Sequence, residues 1–293
     1  DNGKIHQFNI TVERQVGETG LKLAYIGSRN RGMNYNISIN KPQPSLIPFT
    51  ADRRPWPQFV GGTYARSDGK ANYNAMLAEV QRKVGMLTLN AHWTWASNYN
   101  TTTVLHDPYA EPVWSRDRFT ARHRVVVNTV WELPVGKGRR YLAGAPAVAE
   151  HILGGWQLYW IAYFETGQYF SPSFSGRDPS NTNTVGGLPD RVCNGNLPAG
   201  ERQIGRWFDP ACFAVPPAGR FGNSGAYVLE GPGLHMHNIS LAKTFDLTER
   251  FKFTLTGAAS NAFNHPNFAV PASNISAPGS VGVISDLREG GRS

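Results

Sequence analysis

A chain of 293 residues is long enough to bury a sizeable core, as one large β domain or two ordinary ones. Only 17% of residues are charged and 12% are aromatic, with 31 Gly and 20 Pro, a composition of many strands and long turns that argues against a helical bundle. The net charge of +8 raises nucleic acid as a partner, but Lys and Arg are scattered and no recognition helix or RNP-like signature accompanies them; acidic lipid head groups or anionic solutes suit the field better.

No apolar run approaches the roughly 18 residues that a spanning helix needs, so a membrane could be crossed only by strands. The chain shows no signal peptide and reads almost at once as a strand, as expected of a mature chain or of a piece of something longer. In the first strand His6, Phe8, Ile10 and Val12 alternate with Gln7, Asn9, Thr11 and Glu13. A turn at 16–20 leads to a second, carrying Leu21, Leu23 and Tyr25. The third covers 73–83 and turns at Val84-Gly85 into the fourth, where Leu87, Leu89, Ala91, Trp93 and Trp95 oppose Thr88, Asn90, His92 and Thr94. The fifth covers 122–133, with Val125, Val127, Thr129 and Trp131 on one face, and the sixth 156–166, with Trp156, Leu158, Trp160, Ala162 and Phe164 together. The seventh (238–245) and eighth (250–263) are joined by residues 246–249. In the eighth, Phe251, Phe253, Leu255, Gly257 and Ala259 share a face and Lys252, Thr254, Thr256, Ala258 and Ser260 share the other.

The links alternate in length. Those joining strands one to two, three to four and seven to eight are a few residues; those at 28–72, 98–121 and 167–237, and the tail after Asn264, are long and rich in Gly, Pro and Asn. In an up-and-down meander every second link lies at the same end, so short turns gather on one side and long loops on the other, the pattern of outer-membrane barrels. A Greek-key sandwich has no reason to sort its loops so. One link on the short side is an exception: in 134–155, residues 146–153 form a short helix with Pro146 near its start and Gly154 near its end. Trp131, Phe245, Phe251 and Trp156 fall near the short-turn ends of their strands, and Trp93, Trp95, Phe164 and Phe263 near the long-loop ends, as two interfacial girdles would.

Matching stretches then appear in one order along nearly the whole chain: "LAYIGSRNRGM", "NYNAMLAEVQRKVGMLTLNAHWTWAS", "RHRVVVNTVWELPVGKGRR", "LGGWQLYWIAYFETGQYFSP", "RWFDPACFAVPPAGRFGNSGAYVLEGPGL", "NISLAKTFDLTERFKF" and "NAFNHPNF". On them the chain resembles the C-terminal part of a TonB-dependent outer-membrane transporter, of the Oar-like branch that carries a carboxypeptidase-regulatory-like domain. The resemblance implies a complete barrel of 22 strands with a plug inside, energised through TonB. Plug, TonB box and most N-terminal strands are absent here, and the family's closing strand on an aromatic residue is replaced by Glu289-Gly290-Gly291-Arg292-Ser293. TonB is thus a partner only through the missing plug.

Candidate chemistry is sparse. Gly136-Lys137-Gly138-Arg139-Arg140 lacks the spacing of a phosphate loop and reads as a basic turn. Ser224 misses the nucleophile-elbow pattern. His235 and His237 would share a strand face, but two imidazoles make a poor metal site and suit a rim. Glu13, Glu79, Glu132 and Glu165 lie on polar strand faces with no visible glycosidase pairing. The Asn264-His265-Pro266-Asn267 cluster ends a strand at the long-loop side. Cys193 and Cys212, both in the loop between strands six and seven, suit a disulfide facing an oxidising exterior better than a zinc site or two free thiols.

The expected molecule is therefore all-β: an antiparallel meander of about eight strands over 1–293, an open curved sheet or incomplete barrel from the outer membrane. The apolar sets face lipid and polar sets such as Gln157, Tyr159, Tyr163 and Glu165 face the lumen. Long loops capture an unspecified ligand, and no enzymatic activity, cofactor, metal or nucleic-acid partner is expected. A soluble carbohydrate-binding module is the alternative, and a secreted hydrolase a remoter one; the first would need a second apolar layer over the strand faces.

Overall fold

The computed structural model describes residues 2–102, 107–246, 248 and 250–289. Eight long strands follow one another: β1 (Lys4–Val16), β2 (Thr19–Ser38), β3 (Thr63–Val84), β4 (Leu87–Asn100), β5 (His123–Glu132), β6 (Trp156–Glu165), β7 (Leu234–Asp246) and β8 (Lys252–Ala259). Each pairs antiparallel with its sequence neighbours, in the order β1 to β8 without a crossing, and β1 is not paired with β8. The sheet is an open meander. The two-residue ladder Ser115–Arg116 extends it on β4, with Tyr99 opposite Arg116.

Register shows why the alternation matters. Along one row Val12, Leu23, Ala78, Trp93, Val125, Phe164 and His235 are successive cross-strand partners. A second runs Val84, Leu87, Trp131, Leu158, Leu241 and Gly257. Because side chains alternate with period two, a one-residue slip in any pair would break this face. It is also uncovered: Ile10 is 67% exposed, Leu23 50%, Phe251 69% and Phe253 53%. Among the described residues the helix Ala147–Leu153 lies against it at one place, over Lys243. On the opposite face the rows are polar: Glu13, Lys22, Glu79 and His92 follow one another, with Lys22 Nζ 3.2 Å from Glu13 Oε1 and Asn90 Nδ2 donating to Glu79 Oε1 at 2.7 Å.

The short turns are as tight as a hairpin allows. Val16 faces Thr19 and Val84 faces Leu87, leaving two residues between. Gly17 (φ 58°) and Gly85 (φ 54°) occupy the first central position, where an L side chain would be strained. The expected turn at 246–249 includes Leu247 and Glu249, which lie outside the described residues, as does the end of the tail beyond 289.

Strand limits differ from the sequence reading. β2 and β3 run on to Ser38 and back from Thr63 through residues as polar as Asn30, Asn34 and Asn36, with bulges around Met33. There the ladder is joined by polar side chains, Arg31 Nη1 donating to Asn72 Oδ1 at 3.0 Å and Tyr35 Oη to Asp68 Oδ1 at 2.9 Å, and no continuous apolar face marks it. β4 continues to Asn100, which leaves Trp93 mid-strand, and β7 begins four residues early at Leu234. β8 is shorter than expected. It stops at Ala259 because Asn261 (φ 45°) turns the chain, exchanging hydrogen bonds with His265: Asn261 Nδ2 donates to His265 O and His265 N to Asn261 Oδ1. Asn267, 1% exposed, accepts from His235 N, so the polar cluster at 264–267 is the turn's own scaffolding.

The helix α1 (Ala147–Leu153) stands between Pro146 and Gly154. Its C-terminal carbonyls meet an unexpected cation. Lys243 lies on the apolar face of β7, opposite Trp156 and Leu255, yet is 4% exposed. Its Nζ donates to Gly154 O and Glu150 O and sits 4.9 Å from the Phe245 ring centroid. Carbonyls at a helix end are natural partners for an ammonium, even Glu150 O, which also accepts from Gly154 N, so the charge is satisfied where a strand face is otherwise greasy.

Candidate functional site

Beyond the long-loop ends of the strands, the loop after β6 and the segment after β8 fold together into a cap. Its centre is Phe170, Phe208, Cys212, Phe213 and Leu229, packed against Trp207, Val228, Val270, Ile275 and Val281. Short ladders tie it: Tyr169–Phe170 with Leu229–Glu230, Asp190–Arg191 with Phe213–Ala214, and Asn267–Phe268 with Leu287–Glu289. Trp207 N donates to Gly282 O at 2.8 Å and Ile284 N to Ile204 O at 2.8 Å, joining the two segments through their backbones. Cys193 and Cys212 are disulfide-bonded with Cα atoms 4.8 Å apart, clamping residues 193–212 onto the cap's core.

The loop between β2 and β3 docks on this cap. Arg53 reaches Asn181 O at 2.8 Å, Asn181 Nδ2 reaches Ser45 O at 2.8 Å, and Lys41 Nζ donates to Thr184 Oγ1 at 2.8 Å. Burial of Lys41, the first cause, pushes its amine below the ordinary lysine range, against a smaller pull from Asp178 and Asp107. Asp190 holds Arg220 in a bidentate pair that keeps the guanidinium charged, its pKa pushed up by that hydrogen bond.

Two cavities open where the three long loops meet. One, of about 580 Å³, is bounded by Pro44 from the β2–β3 loop, Val113 from the β4–β5 loop, and Phe174, Pro179, Leu188 and Phe221 from the cap; Asp107, Glu111 and Arg220 stand in its lining. The other, of about 570 Å³, holds four arginines: Arg116, Arg122, Arg191 and Arg202. Tyr99, Trp114, Tyr169 and Tyr227 share that wall. Ser115, Gly225 and Ala226 line both. Both volumes fall in the range of small-molecule pockets.

Gln157, Tyr159, Tyr163 and Glu165 occupy the polar face of β6 together, with Tyr159 Oη donating to Gln157 Oε1 at 2.7 Å. Tyr163 and Glu165 belong to a cluster that the sequence did not announce. Glu165, its side chain 2% exposed, accepts from Tyr163 Oη at 2.6 Å and from Arg124 Nη2 at 3.0 Å, and Arg288 from the returning tail closes on its second oxygen. Arg288 lies 123 residues away in the chain, so no local spacing could signal it.

The remaining candidates stay apart. Glu13, Glu79 and Glu132 each have a neighbour of their own, Glu132 with Arg139 at 3.1 Å. The basic turn is held by Lys137 N donating to Glu150 Oε2 at 2.6 Å. Ser224 is 4% exposed and donates to Gly225 O at 3.1 Å. His237 stacks on Trp160, accepts a hydrogen bond from its Nε1 on Nδ1 at 3.2 Å, and meets Phe263 edge-on, while His235 lies 5.0 Å from His265 between centroids. Among the described residues no group of three His, Cys, Asp or Glu is placed to hold a metal.

Comparison with known proteins fits this geometry. No curated protein matches the sequence. A similar solved structure is the outer membrane transporter YddB from Escherichia coli, at 7% identity and a TM-score of 0.53 over 99% of this chain; the chain spans 31% of that protein's length, and at this identity the likeness concerns the fold. The sequence pattern of the outer membrane beta barrel domain family matches residues 1–293. An uncovered apolar face on an open meander, with short turns at one end and a folded cap at the other, is what such a domain presents to lipid, and the chain belongs to the outer membrane β-barrel domain family.

Proposed function

We propose that this chain forms part of the wall and the outer cap of a TonB-dependent uptake barrel, in which the loops capture a ligand and no bond is made or broken by the chain itself. The observation that carries the reading is the sorting of the molecule along its strands: two two-residue turns and the α1 link at one end, and at the other three long loops converging on adjoining cavities. Loops that only closed a sheet would need no disulfide, no hydrophobic centre and no shared cavity wall. The apolar face of β8 turns to lipid, and the face carrying Gln157, Tyr159, Tyr163 and Glu165 turns to the lumen; the TonB system engages the plug that precedes such walls.

Two measurements test this. Single cysteines at Phe253, Thr254, Leu255 and Thr256 are exposed in cells to a water-soluble thiol reagent; the reading expects labelling at 254 and 256 and protection at 253 and 255. Uniform labelling would deny the lipid-facing role. Uptake by cells making the full reading frame is then compared with and without TonB: loss without TonB supports energised import, and unchanged uptake would leave a passive pore.

A further inference from the structure

We propose that the two adjoining cavities form one bipartite site for an amphipathic anion, its carboxylate or phosphate among the arginines and its apolar body among the prolines and phenylalanines. This rests on the reading of the loops as a ligand-capturing surface, and names what they capture.

The arginine cavity is built for an oxyanion. Arg116 lies between two rings, 5.0 Å from the Tyr99 centroid and 4.8 Å from that of Tyr169, and Arg122 is 6.0 Å from Tyr169. Tyr169 itself is 5% exposed, so the platform is fixed. Stacking occupies the flat face of a guanidinium and leaves its N–H edges to bind in the plane, the geometry that a carboxylate or phosphate matches. Those edges are little used. Arg116 makes one long contact, 3.5 Å to Tyr169 Oη, and among the described residues the Arg122 side chain makes no hydrogen bond; neither is in a salt bridge. Arg191 and Arg202 are held by backbone carbonyls, those of Cys193 and Asn194 for the first and Leu197 for the second, and add positive field without a neutralising partner. Glu230 is the single carboxylate in that lining.

The two cavities meet at small residues, Ser115, Gly225 and Ala226, which line both. Next to them Tyr227 is held at φ 56°, a conformation rare for a bulky residue, with its N–H on Ser171 Oγ at 2.8 Å. Strain of this kind, sustained at a cavity wall, belongs with function more often than with packing. Beyond the wall the lining turns apolar, and its carboxylates Asp107, which accepts from Tyr109 N, and Glu111 are in no salt bridge among the described residues, while Arg220 is committed to Asp190. An anion is therefore attracted at one end and repelled at the other, which fixes which way the ligand lies.

The test is calorimetric titration of the detergent-solubilised protein with three probes: 2-naphthoate, the neutral 2-naphthylmethanol and inorganic phosphate. The proposal expects 2-naphthoate to bind at least tenfold more tightly than either of the others. Arg116→Gln and Arg122→Gln should each weaken 2-naphthoate about tenfold, with Arg122→Lys between them and the native protein. Val113→Asp, at an exposed position in the apolar cavity, should weaken 2-naphthoate and leave phosphate unchanged. Equal binding of phosphate and 2-naphthoate, equal binding of the neutral and charged naphthalenes, or no heat with any probe would each overturn it, and all three comparisons use the unmodified protein. Failure here leaves TonB-dependent uptake standing, whereas uptake that ignores TonB removes the transport reading without touching these affinities.

Discussion

Removing the disulfide should loosen one part of the cap by an amount the structure allows one to work out. Cys193 is exposed and Cys212 is 5% exposed in the cap's centre, so Cys193→Ala breaks the bridge and leaves Cys212 packed where it is. The bridge closes a sequence separation of 19. On the chain-entropy account a loop of that size costs the opened state roughly 11 cal/mol/K, or about 3 kcal/mol at 25 °C. Converted to populations, the opened form rises roughly a hundredfold. Arg202 reports on it well. It is half-buried, its Nε donates to Leu197 O at 2.9 Å, and its guanidinium sits 5.7 Å from the Trp207 ring centroid, so trypsin reaches it only after the segment opens. When opening is fast relative to cleavage, the rate follows the open population. Tryptic cleavage after Arg202, followed by mass spectrometry, should therefore accelerate by roughly two orders of magnitude in Cys193→Ala and in the reduced native protein, while cleavage after Arg53, in another loop, keeps its rate. An acceleration below about threefold would refute the reasoning, because the cap would then be held without the bridge.

Glu165→Gln leaves Arg124 and Arg288 facing an amide, and should weaken the docking of Leu287–Glu289 by about 3 kcal/mol; amide exchange at Phe268 rises accordingly, and unchanged exchange would mean that the ladder needs no ionic anchor. Lys243→Met takes the ammonium from Gly154 O and Glu150 O at a cost of roughly 1 kcal/mol, read as faster exchange of the Gly154 amide, which pairs with Glu150 O; full retention of protection speaks against the contact. Gly85→Ala forces an alanine to φ 54° and should destabilise the β3–β4 hairpin by about 1 kcal/mol in a urea titration, and any gain in stability would contradict the turn assigned. For Lys41 the folded pKa lies below 10.5, so the unfolded loop binds more protons between the two values and docking of the loop strengthens as pH rises through that window. Proteolysis of residues 39–62 should slow as the pH is raised toward 10.5 in the native protein and show no such trend in Lys41→Met.

Most of the strands were readable because one face alternates: Phe253 and Leu255 declare β8 unaided, whereas β7 carries His235 and Lys243 on its apolar face and was bounded mainly by the turn after it. Where both faces meet water the signal vanishes, so β2 and β3 outrun their reading through Asn30 to Ser38 and Thr63 to Lys70. The cap was opaque for a different reason. Phe170, Phe213 and Leu229 sit in ladders only two residues long and Phe208 in a loop, with no shared period, and only their tertiary meeting makes them a core. The paired cysteines could be proposed from compartment and loop alone. The arginines at 116, 122, 191 and 202 could not, since in sequence they are merely part of a scattered positive charge.

The open sheet has a consequence for how the molecule reaches its membrane. In an antiparallel ladder alternate residues direct both backbone groups to the same side, so β8, with its eight residues Lys252–Ala259, turns about four donor–acceptor sets away from β7. Water satisfies them at little cost; hydrocarbon does not, and each orphaned group there costs several kcal/mol. The same holds along the outer edge of β1. Entry into the bilayer and capture of a neighbouring strand at both edges must then be a single event, with the apolar face and the two seams desolvated together. A protein that inserted first and zipped later would carry through the lipid an electrical load that its greasy side chains could not offset.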